Sequence, residues 1–272
     1  MKRIALLLAL ILALTAVVAG CGGKTQAPAT ASDKKVLKVG ATAVPHAEIL
    51  RVIKPALEKE GIDLQIVEMS DYVRPNLAVA EKELDANFFQ HIPYLNKFAA
   101  ERNLQLTYTA AVHIEPMGIY SKKIKNLNDV PTDAVVAIPN DPTNGGRALA
   151  LLAKAGVIGL KDGVGVNATV KDIVANPKNV KIRELEAPQL PRALDDVTLA
   201  VINTNYALEA KLVPTKDALF IEQKDSPYVN ILVVRKGDEN RPEIQKLTKA
   251  LTSDQVRKFI TEKYQGAVVP AF

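Results

Sequence analysis

The sequence predicts an α/β protein with mixed or parallel sheets, folded as two lobes. Three observations predict it. Strand-like runs, either alternating or continuously apolar, take turns with runs whose apolar residues recur at helical spacing. The chain has 272 residues, which at about 150 residues per domain leaves room for more than one α/β layer. Hydrophobic residues make up 48% and charged residues 24%, the balance of a folded globular protein rather than a disordered chain.

Residues 36–41 alternate and read as the first strand. Residues 45–60 place Ala47, Leu50, Ile53, Ala56 and Leu57 at helical spacing. Residues 62–69 alternate again, with Ile62, Leu64, Ile66 and Val67 apolar. A helix over 76–84, a short strand over 86–89 and a helix over 93–102 follow, then a mostly apolar extended stretch over 104–120. The run 134–138 predicts a buried strand and 143–155 a helix. Residues 199–202 predict a further buried strand, with a helix from about Asn205. Residues 228–235 are strongly β-prone. Helices over 242–251 and 253–264 close the chain, and Ser253 and Asp254 are cap-type residues at the start of the second. The stretches 111–120 and 226–234 are the expected crossings between lobes.

Composition and motifs exclude several classes. A single cysteine, Cys21, excludes an internal disulfide framework and a Cys-rich zinc site. Three histidines leave little material for a multi-imidazole metal site, and neither metal nor cofactor is expected. No G-x-S-x-G elbow, H-E-x-x-H or P-loop occurs. His46-Ala47-Glu48 and His113-Ile114-Glu115 both spell H-x-E, but a zinc deaminase also needs a cysteine pair. Residues 163–168 fit a loose G-x-G-x-x-A pattern but follow no predicted strand of a βαβ unit, so dinucleotide binding is not expected. An exported hydrolase built on a Ser–His pair has no motif behind it. The chain is not expected to be an enzyme.

At the amino end, Lys2 and Arg3 precede an almost purely apolar run over 4–18. The run falls short of the roughly 20 residues that span a membrane as a helix and matches a signal h-region. Val18-Ala19-Gly20-Cys21 resembles a bacterial lipobox, in which the thiol takes a diacylglyceryl group and cleavage leaves the cysteine as the new terminus. The acyl chains would anchor the protein to the membrane, each buried CH₂ contributing about 0.8 kcal/mol. The expected organisation is a signal peptide over 1–20, a flexible tether over 21–35, one lobe from 36–119 together with 231–272, and a second lobe over 120–230. Removing Lys2 and Arg3 lowers the formal net charge of +5, and an exported protein has no ready access to nucleic acid, so none is expected as a partner.

Three segments carry the chemistry. In 138–152 a buried strand leads through turn residues into a helix expected to start near Gly145-Gly146. Helix N-termini present unpaired N–H groups suited to a carboxylate or phosphate. Glycine lets a ligand approach the backbone, and Arg147 adds a planar fork for a carboxylate; the plainer reading is a strand–turn–helix connection with Arg147 in solvent. Residues 84–95 gather Phe88, Phe89, His91 and Tyr94 in a chain that is only 5% aromatic. They suit a small apolar ligand, or else form a core cluster in which His91 is a satisfied hydrogen bonder. In 200–206 a buried strand ends in Asn203, Thr204 and Asn205, at the carboxyl end where open α/β sheets bind ligands. Asparagine reads both ammonium and carboxylate, though the same residues also make an ordinary helix cap. Asn230, inside an apolar strand, needs a partner.

In order along the chain, residues 39–50, 71–76, 84–95, 113–121, 138–149, 190–196, 201–207 and 226–230 resemble the methionine-binding lipoproteins of bacterial ABC importers, the lipoprotein-28 type family. The resemblance implies a type II periplasmic-binding-protein fold, with a ligand cleft between two α/β lobes. It implies an extracytoplasmic monomer, anchored through Cys21, that captures methionine or a close derivative and delivers it to an ABC permease and its ATPase. Arg147 would pair with the amino acid's carboxylate. Asn203 and Asn230 would hydrogen-bond its carboxylate and ammonium, with Asn205 a further contact. Tyr72, Phe89, His91 and Tyr94 would surround the thioether. The chain departs from the family pattern at Ala43 and Thr204, where many members carry Pro and Gly. A surface lipoprotein acting as an adhesin or interaction protein is the competing reading.

Overall fold

The first strand, β1 (Lys35–Ala41), begins one residue earlier than its alternation suggests, because Lys35 pairs with Ile62 and its Nζ lies 2.8 Å from Glu243. The computed structural model describes residues 34–223 and 226–272. The expected signal peptide, Cys21 and all but the last two residues of the tether lie outside the described residues.

After β1 the expected helix over 45–60 starts later. Val44 is extended (φ −130°, ψ 135°), as a residue before proline tends to be, so the α-helix proper is α1 (Glu48–Lys59). Its buried face is Ile49, Leu50, Ile53 and Leu57, while Ala56 faces solvent. Strand β2 (Ile62–Glu68) pairs in parallel with β1. Helix α2 (Arg74–Ala80) sits two residues upstream of expectation. Asp71 accepts the Val73 and Arg74 N–H groups and opens the helix early, and Lys82, at φ 66°, lies past its end. Strand β3 (Ala86–His91) runs into α3 (Ile92–Arg102), which stops at left-handed Asn103.

The extended stretch over 104–120 divides into β4 (Leu106–Ile114) and β5 (Gly118–Tyr120), which belong to different sheets. Next come β6 (Val135–Pro139), α4 (Pro142–Lys154), the small pair β7 (Gly159–Leu160) and β8 (Ile173–Ala175), and β9 (Lys181–Leu185). Helix α5 (Leu190–Ala193), β10 (Leu199–Ile202), α6 (Thr204–Glu209), α7 (Pro214–Asp217) and β11 (Phe220–Ile221) follow. The chain ends with β12 (Val229–Arg235), α8 (Pro242–Leu251), α9 (Asp254–Tyr264) and β13 (Val269–Pro270). Ser253 stands at the expected cap of α9, but its hydroxyl donates to the Ala250 carbonyl instead of capping.

Both large sheets are mixed. One has the order β13-β4-β12-β3-β1-β2, the other β11-β5-β10-β6-β9. The first buries Leu37, Val39 and Leu64 against Leu50, Ile53, Ile244, Leu247 and Ile260. In the second, Val136, Ile138, Leu149 and Leu152 pack together on one side. Strand β10 is covered on both faces, Leu199 and Val201 entering that cluster and Ala200 and Ile202 packing with Leu190 and Tyr206. This is why it reads as an unbroken apolar run. Strands β3, β6 and β10 all end at one place, so the residues just past them face a shared cleft.

Candidate functional site

The start of α4 differs from expectation in an informative way. The helix begins at Pro142, not near Gly145-Gly146, and Asp141 caps it. The Asp141 carboxylate accepts the Asn144 N–H (2.9 Å), the Thr143 hydroxyl (2.9 Å) and the Asn144 side-chain amide (3.1 and 2.9 Å). The helix N-terminus is thus filled by the chain's own carboxylate and is not open to a ligand. The two glycines serve chain packing instead. A Cβ on Gly145 would lie 2.9 Å from the Pro139 carbonyl oxygen, and one on Gly146 would lie 2.2 Å from that of Val166.

Asn144, so held, is a hub. Its Oδ1 accepts from His91 Nε2 (3.1 Å) and from Asn203 Nδ2 (2.8 Å). His91 Nδ1 accepts the Tyr94 N–H (3.1 Å) at the start of α3, so the ring proton sits on Nε2. Burial, aided by the charge on Arg147, pushes the His91 pKa down to about 3. His91 is therefore a satisfied, neutral hydrogen bonder that also lines the cleft. Beside it, Tyr72, Phe89 and Tyr94 form a wall with ring centroids 5.8–6.0 Å apart. The Tyr72 hydroxyl donates to Asn205 Oδ1 (2.6 Å), and the Tyr94 hydroxyl donates to the Tyr72 carbonyl (2.9 Å).

Arg147 is buried, not solvent-exposed, at 4% exposure. Its Nε and Nη2 donate to the Glu222 carboxylate (3.1 and 2.5 Å), and Nη2 also donates to the Glu115 carbonyl (2.7 Å). The guanidinium lies 4.0 Å from the centre of the Tyr228 ring. Thr204, the departure from the family pattern, donates its hydroxyl to the Pro116 carbonyl (2.5 Å) and ties the start of α6 to the passage between β4 and β5.

Glu115, whose carbonyl Arg147 holds, places its Oε1 2.7 Å from His113 Nε2 and 3.2 Å from His46 Nε2. Burial raises the Glu115 pKa, while the neighbouring His46 and the Arg147 charge oppose the rise. Burial lowers His46 to about 4 and His113 to about 3. These three residues are the set, among the described residues, whose ligand atoms converge enough to hold a metal. Ligand atoms around a tetrahedral zinc stand about 3.3 Å apart. The 2.7 Å contact is hydrogen-bond length, and the group reads as a His113 N–H donating to the carboxylate, with the His46 N–H given to Asn230.

Tyr72, Phe89, His91, Tyr94, Arg147, Asn203, Asn205 and Asn230, predicted from separate segments, all line one narrow cleft. Gln90, Glu115, Asn144 and Thr204 complete it. Sequence reasoning missed Glu115, although His113-Ile114-Glu115 was in view as an incomplete zinc motif, and missed Glu222 altogether. Within the cleft, Asn203 Oδ1 and Asn205 Nδ2 are buried without a hydrogen-bond partner.

Two α/β halves meeting at a polar and aromatic cleft make this a two-lobed substrate-binding protein of the type II periplasmic-binding-protein fold. Comparison with known proteins narrows the class. The chain belongs to the NlpA lipoprotein family, which it matches over residues 37–272. The D-methionine-binding lipoprotein MetQ of Salmonella typhimurium is 45% identical over 255 residues, covering 93% of this chain and 92% of that one. A nutrient-binding protein from Burkholderia cenocepacia, solved bound to methionine, superposes with a TM-score of 0.84 at 49% identity over 87% of this chain and 100% of its own. An ABC transporter periplasmic substrate-binding protein from Coxiella burnetii gives 0.82 at 44% identity, over 86% and 100%. Among the described residues no helix is long and apolar enough to cross a membrane.

Proposed function

We propose that this protein is a lipid-anchored extracytoplasmic receptor that captures methionine, or a close derivative, and delivers it to an ABC permease and its ATPase. The observation that carries the reading is the pairing of Asn203 Oδ1, an unpartnered buried acceptor, with Asn205 Nδ2, an unpartnered buried donor. A buried polar atom left alone costs about 1–3 kcal/mol. A ligand that brings both an ammonium and a carboxylate relieves both. Arg147, Asn230 and Glu115 add charge and hydrogen bonds in the same cleft. Tyr72, Phe89, His91 and Tyr94 offer aromatic surface to a thioether, whose sulfur gains about 0.3–1.5 kcal/mol per aromatic contact.

In this reading the protein acts as a monomer on a tether from lipidated Cys21. Its lobes, 36–119 with 231–272 and 120–230, close about the ligand by bending the two passages between the sheets, a hinge motion. No chemistry is done on the ligand. The test is calorimetry on protein unfolded and refolded to strip endogenous ligand. Heat of binding is expected with methionine, and silence towards L-methionine, D-methionine and short methionine peptides would overturn the proposal.

A further inference from the structure

We propose that His46 and His113, neither of which lines the cleft, are positioning residues that aim Glu115 and Asn230 at a ligand ammonium. The inference deepens the amino-acid reading above and rests on it.

The residues come from separate stretches of the chain and meet beside the first sheet. His46 follows the kink after β1, His113 and Asn230 face each other in register on β4 and β12, and Glu115 follows β4 directly. His46 and His113 are 1% and 0% exposed. The Phe88 ring packs edge-on to both imidazoles, at 4.7 and 5.3 Å, which leaves them little freedom to turn.

The hydrogen bonds assign the protons. Asn230 Oδ1 can only accept, so His46 Nε2, 3.0 Å away, carries hydrogen. His46 Nδ1 then accepts from the Thr42 hydroxyl (2.7 Å), which fixes the tautomer. The same Nε2 atom lies 3.2 Å from Glu115 Oε1. On His113 the Nδ1 atom has no partner. A lone imidazole acceptor is cheaper to bury than a lone N–H, so the hydrogen belongs on Nε2, which donates to Glu115 Oε1 at 2.7 Å. The neutral His113 imidazole thus donates its N–H to the carboxylate and favours its anion in a buried place, while His46 packs against that carboxylate and gives its own N–H to Asn230. His46 takes one of the two lone pairs of Asn230 Oδ1 and holds the amide oxygen in place, which leaves the second lone pair to accept from a ligand ammonium.

The test compares L-methionine with 4-(methylthio)butanoic acid, which keeps the thioether and carboxylate but lacks the amine. Both are titrated by NMR at up to millimolar concentration into the refolded full chain and its variants. His46→Leu is expected to weaken methionine by about tenfold or more and to leave the amine-free acid unchanged within about twofold. His46→Gln, whose amide N–H₂ can replace the Nε2–H, should recover most of the loss. If His46→Leu fails to refold, Thr42→Val reads out the same selectivity by freeing the tautomer. Equal losses for both compounds in the variants would mean a merely structural role and would overturn the proposal. So would micromolar zinc binding that His46→Gln abolishes. A wild-type chain that binds neither compound would instead sink the amino-acid reading itself.

Discussion

Arg147 illustrates how a single side chain can be legible while its setting is not. Its segment marked it as a carboxylate partner, yet its pairing with Glu222, 75 positions away, has no local signature. The pair is nearly dry, with side-chain exposures of 4% and 16%. Under the proposed function, a ligand carboxylate would approach a guanidinium already neutralised on one edge. Arg147→Ala is expected to reduce methionine affinity by at least tenfold, about 1.4 kcal/mol, because truncating one partner of a buried charge pair is costly. Glu222→Gln should act in the opposite sense on binding. It leaves Arg147 short of a negative charge in the free protein, which lowers the ligand-free melting temperature, and the ligand then supplies that charge, which raises affinity. Scanning calorimetry with and without methionine checks both signs. Glu115 was overlooked for a related reason: H-x-E was weighed only against a missing cysteine pair, and its two imidazole neighbours converge through the sheet, not along the chain.

At the scale of elements, periodic runs were the readable part. The buried runs at β1, β6 and β10 and the amphipathic α8 stood out because each repeats a pattern over several residues. Strands β7, β11 and β13, two residues each, are too short to show any period. Strand β9 is a charged edge. The glycines of α4 lie against the Pro139 and Val166 carbonyls, and close approach to a ligand and close approach to another stretch of backbone look alike in sequence. The structure makes the difference measurable. Gly→Ala inside a helix ordinarily stabilises by about 0.5–1 kcal/mol. Gly146→Ala should instead destabilise by roughly 1–3 kcal/mol, since its Cβ meets the Val166 carbonyl, and urea unfolding gives the sign. A buried amide triangle between α2 and β3 makes a second case. Asn76 Oδ1 accepts from Asn87 and Gln90, and Asn76 Nδ2 donates to Gln90 Oε1. Asn76→Leu strands Gln90 Oε1, while Asn87 Nδ2 keeps the Pro75 carbonyl and Gln90 Nε2 keeps Asn87 Oδ1, and should cost roughly 1–3 kcal/mol in the same assay.

For the whole molecule, the alternation of strands and helices was enough to anticipate an α/β fold, but not which strands lie side by side. Burial of three neutral histidines has a global consequence. His46, His91 and His113 have pKa values pushed from 6.5 to about 4, 3 and 3. Unfolding lets each take up a proton below about pH 6.5, so the stability they contribute is complete above that pH and declines as it falls towards their folded values. Glu115, raised by burial, works the other way over the carboxylate range. The ligand-free melting temperature is expected to drop steadily from pH 6.5 to 4.5, and a flat profile would contradict the neutral assignment.

The order of the larger sheet also sets a timetable. Strand β12 lies between β3 and β4, so β4 has no neighbour on that side until residues 229–235 have been made. Every strand of the other large sheet falls between residues 118 and 221. A chain emerging amino end first can therefore complete its second sheet while the first still gapes at its centre. The strand that closes the gap brings Asn230 with it, so the cleft acquires its last polar group only when the fold itself is sealed.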